Sequence, residues 1–315
     1  MAVFVAKRTA GDSRNDDDMT VFALPGFEPT VPEGLSPEQL GGVSIRRFAN
    51  GELHVELQTE VHGRECSLIG SVAPPDRQIV SLLLAAHTLR KEGAARVVAV
   101  LPYLAYARQD EPEPRRSLAA AWVGSLLAAA GVDRAIAIDV HSPRVHDLFA
   151  IPLRSLSPAP LFAAEIRALG YEKPTIVSPD EGAIARCRAV AEAAGIIRPV
   201  ALLRKQRSAE GVRHSAIVGE VTPEVVVVDD ILDTGGTLLS CCAELRRLGV
   251  ERITLMVTHG LFTGLRWQDL WSLGVESLYI TDTVPAAAQR PPTGVRVLSM
   301  APIIYQALVQ PPSPS

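Results

Sequence analysis

Short β-branched runs alternate with alanine- and leucine-rich stretches of helical length along most of the chain, and this alternation limits the possible folds more than any other feature. In the first half, residues 66–72, 97–101 and 135–139 read as strands, separated by helical stretches at 79–91 and 117–130. The second half repeats the plan, with strands at 175–178, 224–229 and 253–258 and helices at 183–194 and 237–248. Strands joined through helices pair in parallel, with the helices covering the sheet faces. A length of 315 residues exceeds one ordinary domain and suits two. The expected fold class is α/β: two tandem Rossmann-like domains, each a mainly parallel sheet flanked by helices.

An internal echo supports that plan. Leu89-Arg90-Lys91-Glu92-Gly93 with Arg96-Val97 recurs as Leu245-Arg246-Arg247-Leu248-Gly249 with Arg252-Ile253, an offset of 156 residues from Gly93 to Gly249. In both copies basic residues end a helix, glycine caps it and a strand follows. Any strand–helix unit can end this way, so the segment alone does not establish a duplication. The expected division is a disordered leader at 1–18, domains at 19–150 and 151–309, and a mobile proline-rich tail at 310–315. Met19 follows the acid-rich leader and would serve as an alternative start.

Charge and hydropathy exclude several classes. With 31 basic and 35 acidic side chains the net charge is -4, so no broad basic face for nucleic acid is expected and any anionic ligand must be held locally. The apolar runs at 97–100 and 225–228 are far shorter than a bilayer span. The N-terminus has no secretion signal pattern, which makes the cytoplasm the default location. Cys66, Cys187, Cys241 and Cys242 show no metal-ligand spacing and read as buried thiols.

One segment carries chemistry. The apolar strand at 224–229 runs into Asp229-Asp230-Ile231-Leu232-Asp233-Thr234-Gly235-Gly236-Thr237 and then into a helix. Glycines and a helix N-terminus turn backbone N–H groups toward a phosphate, helped by the hydroxyls of Thr234 and Thr237. Carboxylates repel that anion, so Asp229 and Asp230 must serve a hydroxyl-bearing group or a magnesium ion. A phosphate at one end and a diol at the other describes ribose 5-phosphate. Carrying the offset back points to 73–81 as the equivalent first-half loop, which has neither an acidic pair nor glycines.

The stretch Val225–Thr237 resembles the phosphoribosyl-diphosphate loop of type I phosphoribosyltransferase folds. With Phe48-Ala49-Asn50-Gly51-Glu52, Tyr103 to Asp110, Asp139-Val140-His141-Ser142 and Val177-Ser178-Pro179-Asp180 in that order, the chain from Thr20 onward resembles ribose-phosphate diphosphokinases. The resemblance implies two phosphoribosyltransferase-type domains and transfer of the β,γ-diphosphate of ATP to the 1-hydroxyl of ribose 5-phosphate. It implies that Phe48, Asn50 and Glu52 contact adenine, and that Arg108, Gln109 and Asp110 hold the ATP phosphates and ribose. His141 and Asp180 would attend Mg2+, and Lys205 and Arg207 would close over the triphosphate as catalytic cations. Asp229, Asp230, Asp233, Thr234, Gly235, Gly236 and Thr237 would bind ribose 5-phosphate.

A homo-oligomer with sites near subunit boundaries is also implied. Asn50, Gln206 and Glu111-Pro112-Glu113-Pro114 depart from the commonest family pattern, which bears on adenine specificity and nucleotide affinity. Two other readings stay open at this point. One is a phosphoribosyltransferase acting on a base; the other is a non-catalytic regulatory subunit of a diphosphokinase assembly.

Overall fold

The computed structural model describes residues 19–207 and 213–309, without the side chains of 205–207, 213–215 and Ala286. The strands are β1 Met19–Ala23, β2 Leu40–Gly41, β3 Val43–Arg47, β4 Leu53–Leu57, β5 Glu65–Ile69, β6 Arg96–Leu101, β7 Arg134–Ile138 and β8 Leu153–Leu156 in the first part of the chain. There follow β9 Thr175–Ser178, β10 Ala201–Arg207, β11 Arg213–Val218, β12 Glu224–Leu232, β13 Arg252–Gly260, β14 Val275–Thr281 and β15 Val295–Leu298. The helices are α1 Arg77–Lys91, α2 Ala119–Ala129, α3 Arg144–Leu148, α4 Ala159–Ala168, α5 Ile184–Ala194, α6 Gly236–Arg247, α7 Asp269–Ser272, α8 Pro285–Gln289 and α9 Ala301–Val309.

Two sheets result. The first has the order β2-β1-β5-β6-β7-β8 with every neighbouring pair parallel. The second has the order β11-β10-β9-β12-β13-β14-β15 and is parallel except for its edge pair β10–β11. The α/β expectation holds in both halves. Central strands of a parallel sheet are covered on both faces, which is why Val225, Val226, Val227 and Val228 are all fully buried. Removing each such side chain from water contributes about 1.5–3 kcal/mol.

Two segments that the sequence assigns to the second half pack with the first. β8 pairs with β7, beyond the division expected at residue 150. The last helix, α9, returns from the far end of the chain and buries Ile304, Ala307 and Leu308 against the first core. Its apolar face finds cover there, and Arg154 of β8 donates to the Ala307 carbonyl at 3.3 Å. β3 and β4 form a separate antiparallel hairpin that the strand–helix reading does not anticipate.

The internal echo is physical. Arg90 at the end of α1 donates to the carbonyls of Ala94, Ala95 and Gly131. Arg246 at the end of α6 donates to those of Val250, Glu251, Leu273 and Gly274. Each guanidinium satisfies carbonyls of two loops at once, so both halves close their helix–strand corner with the same device. α1 has 15 residues and α6 has 12, so the first-half counterpart of the acidic turn begins at Gly70, three residues before the expected 73–81. Strand register agrees, with Glu65 opposite Arg96 in one sheet and Glu224 opposite Arg252 in the other.

Candidate active site

β12 does not end at the acidic pair. It continues through Leu232, because Ile231 and Leu232 pair with His259 and Gly260 of β13. Asp229 and Asp230 therefore project from the strand itself and are both buried. The chain then turns through Asp233 and Thr234 into Gly235, whose φ of 83° is open to glycine at no steric cost. An added Cβ at Gly235 would lie 2.9 Å from Trp267 Cα, so the turn is also pressed against the α7 region. Gly235 caps α6 without a side-chain hydrogen bond, which leaves the first amides of the helix to a ligand.

This turn faces the other half across a cavity of about 560 Å³. Its lining includes Arg108, His141, Asp180, Asp229, Asp230, Asp233, Thr234, Gly235, Gly236 and Thr237, so ten of the residues singled out in the sequence meet in one place. The cavity sits at the C-terminal end of β12, where parallel sheets collect ligands. Arg266 also lines it and was missed. It follows a loop with no motif, and only the fold brings it near the glycine turn.

The other singled-out residues lie elsewhere. Phe48, Asn50 and Glu52 form the turn of the β3–β4 hairpin, held by Phe48 N–H donating to Glu52 O at 2.9 Å and Glu52 N–H to Asn50 Oδ1 at 3.1 Å. Phe48 is 55% exposed, although large apolar rings are usually covered, and the hairpin does not line the cavity. Gln109 hydrogen-bonds Ser117 Oγ, and neither Gln109 nor Asp110 lines the cavity. Lys205 and Arg207 stand on β10, with their side chains outside the described residues.

The electrostatics divide the two aspartates. Burial, reinforced by the neighbouring charges of Asp230 and Asp180, raises the Asp229 carboxyl well above the usual carboxylate range. Burial pushes Asp230 the same way, but a hydrogen bond from His141 and the charge of Arg186 outweigh it and hold Asp230 well below that range. His141 Nδ1 lies 2.6 Å from Asp230 Oδ2, and that bond raises the imidazole pKa above its ordinary value despite partial burial. The adjacent carboxyls are thus shifted in opposite directions, because Asp230 alone accepts the hydrogen bond of His141 and lies nearest Arg186. At the cavity mouth Arg108 pairs with Asp233 at 3.2 Å, an exposed pair contributing about 0–1 kcal/mol.

A hard divalent cation fits these donors. Asp180, Asp229 and Asp230 offer carboxylate oxygens to one cavity, and His141 shows the carboxylate-backed imidazole that orients a ligating ring. Among the described residues no three His, Cys, Asp or Glu side chains form a metal cage by themselves. Magnesium suits such a site because it keeps several waters and shares its ligands with substrate phosphates. The cysteines take no part: burial pushes Cys66 to about 11 and Cys187 and Cys242 to about 12, leaving these thiols protonated and inert.

A helix N-terminus with paired carboxylates at the end of a central parallel strand, facing a second α/β half, defines a sugar-phosphate-handling protein of the type I phosphoribosyltransferase fold. Comparison with known proteins narrows this. Residues 34–131 match the N-terminal domain of ribose phosphate pyrophosphokinase, and residues 149–264 match the phosphoribosyl transferase domain. The ribose-phosphate pyrophosphokinase of Campylobacter jejuni is 32% identical over 272 residues, covering 85% of this chain and 87% of that protein. That of Chromobacterium violaceum is 32% identical over 302 residues, covering 93% and 91%. The crystal structure of phosphoribosylpyrophosphate synthetase from Mycobacterium smegmatis superimposes with a TM-score of 0.78 at 27% identity, covering 91% of this chain and 96% of that one. The chain belongs to the ribose-phosphate pyrophosphokinase family.

Proposed function

We propose that the protein is a ribose-phosphate diphosphokinase, transferring the β,γ-diphosphate of ATP to the 1-hydroxyl of ribose 5-phosphate. The products are 5-phosphoribosyl 1-diphosphate and AMP. The observation that carries the reading is the meeting of the glycine turn, the unlike aspartates and Arg108 and His141 of the other half in one cavity.

The amides at the start of α6, with Thr234 and Thr237, bind the 5-phosphate. Asp230, ionised, accepts hydrogen bonds from the ribose hydroxyls; Asp229, held closer to neutrality, adds less repulsion toward the anions entering beside it. Asp233 and Arg108 exchange partners as substrates bind, Arg108 turning to the ATP phosphates. The oxygen at C1 then attacks the β-phosphorus, the bond from that phosphorus to the bridging oxygen of the α-phosphate breaks, and the hydroxyl proton is released. Negative charge grows on the departing AMP and on the transferred phosphates, and Lys205 and Arg207 offset it. Mg2+, attended by His141 and Asp180, neutralises phosphate charge when bound.

The exposed hairpin carrying Phe48, Asn50 and Glu52 supports a homo-oligomer in which a second copy supplies the adenine contacts. No described helix is long and apolar enough to cross a membrane, and the cytoplasm is the proposed location. Incubating the protein with magnesium and ATP should release AMP only when ribose 5-phosphate is added. Release of AMP without the sugar, or none with it, would refute the assignment.

A further inference from the structure

The junction between the halves contains a buried cation that the reaction does not use directly. Arg186, on the first turn of α5, has a side chain only 10% exposed, and its partners Asp139 and Asp230 are 11% and 9% exposed. Its Nε lies 2.8 and 2.7 Å from the two carboxylate oxygens of Asp139. One of its terminal nitrogens lies 3.6 Å from Asp230 Oδ2. Asp139 directly follows β7 of the first half, and Asp230 belongs to β12 of the second. Arg186 does not line the cavity, so it reaches substrates only through its carboxylate partners.

The surroundings hold Asp139 in this pose. Its φ is 47°, in the left-handed region that residues with a side chain seldom adopt and that aspartate tolerates better than most. Thr258 Oγ1 donates to the same carboxylate, and His259 Nε2 donates to the carbonyl of Ile138 at 3.1 Å. Burial opposes the charge on Arg186, but Asp139 and Asp230 outweigh it and keep the guanidinium more firmly protonated than usual. Without that cation, two buried carboxylates would face each other across the junction, and repulsion would move Asp230 away from His141.

We propose that Arg186 is a positioning residue for the reaction: by cancelling the charge of Asp139 at the junction, it keeps Asp230 in place beside the sugar loop without touching either substrate. The inference rests on the ribose 5-phosphate role assigned to Asp230. It makes a demand that a plain bridge between halves does not, because removing both opposed charges should repair what removing one destroys.

Steady-state kinetics on the full chain test it. Arg186→Met should raise KM for ribose 5-phosphate by about tenfold, the value of one charge-assisted hydrogen bond, with KM for ATP changed less than about twofold. The double variant Asp139→Asn/Arg186→Met should recover most of that loss, and Arg186→Lys, which keeps the charge, should stay near wild type. An unchanged sugar KM in Arg186→Met, or a double variant no better than the single, would overturn the proposal. If Arg186→Met does not fold, the other two variants decide, and a raised sugar KM in both would overturn it. If the wild-type chain releases no AMP, the assignment of function fails instead, and calorimetric binding of ribose 5-phosphate to the same variants reads the proposal with the same outcomes.

Discussion

Alanine at Gly235 and alanine at Gly236 separate the stability of the turn from its use. At Gly235 the methyl meets Trp267 Cα at 2.9 Å and Trp267 Cβ at 3.0 Å, and the backbone stays at a φ of 83°. Trp267 is buried and packs on Phe262 with ring centroids 4.8 Å apart, so it has little room to retreat. A left-handed backbone costs an L side chain about 1–2 kcal/mol, and overpacking adds about 1–3 kcal/mol. Gly235→Ala should therefore lose about 2–5 kcal/mol of stability.

Gly236 is different. A Cβ there meets nothing within 4 Å, and the residue opens α6. Alanine should leave stability unchanged or raise it by about 0.5–1 kcal/mol through reduced backbone entropy. Yet the methyl enters a wall of the cavity, where, on the proposed phosphate site, it should displace a phosphate oxygen from an amide donor. Losing one charge-assisted hydrogen bond costs about 1.5–3 kcal/mol, which is about a 10- to 150-fold loss of ribose 5-phosphate affinity. Thermal denaturation and calorimetric titration read the two effects. A Gly236→Ala protein that binds ribose 5-phosphate as tightly as wild type would refute the phosphate assignment, and a fully stable Gly235→Ala protein would refute the packing argument.

Asp230→Asn should weaken ribose 5-phosphate binding about tenfold and leave ATP affinity nearly intact, since the hydroxyls lose a charged acceptor; equal loss of both ligands would contradict the division of labour. Lys205→Ala should lower kcat far more than it raises either KM, as the proposed role of its charge in offsetting the negative charge that develops requires; an effect confined to KM would refute that role. In metal-free protein His141 should titrate above the ordinary histidine value of about 6.5, as followed by NMR. A raised folded pKa means that the pair with Asp230 stabilises the fold fully below the unfolded pKa, and that the contribution fades as pH rises through the folded value. Asp230→Asn should abolish that slope, and an unmoved His141 titration in the variant would refute the pairing.

The acidic turn was legible because its aspartates and glycines add no apolar side chain to the core. Three aspartates and two glycines after four buried valines are wasted on a plain strand–helix corner, so the sequence betrays a ligand there. Arg186 was not legible: in the alanine-rich stretch 184–194 it resembles any charge on an amphipathic helix, and its partner Asp139 lies 47 residues away. Arg266 was hidden for the same reason.

The β3–β4 hairpin did leave a signal, in the alternation of Leu53, Val55 and Leu57 with polar neighbours. It was overlooked because it falls outside the strand–helix rhythm. The return of α9 is beyond any local pattern: Ala301, Ile304, Ala307 and Leu308 mark an apolar face, but nothing in their spacing names the core that covers it. The three extra residues of α1 likewise leave no mark at the motif, and they displaced the inferred first-half loop.

The most direct test is a crystal structure of the protein with ribose 5-phosphate bound. The phosphate should rest on the amides of 234–237 at the start of α6, with the ribose hydroxyls turned to Asp229 and Asp230. A sugar held elsewhere, or one bound with its phosphate against the hairpin at Phe48, would contradict the account.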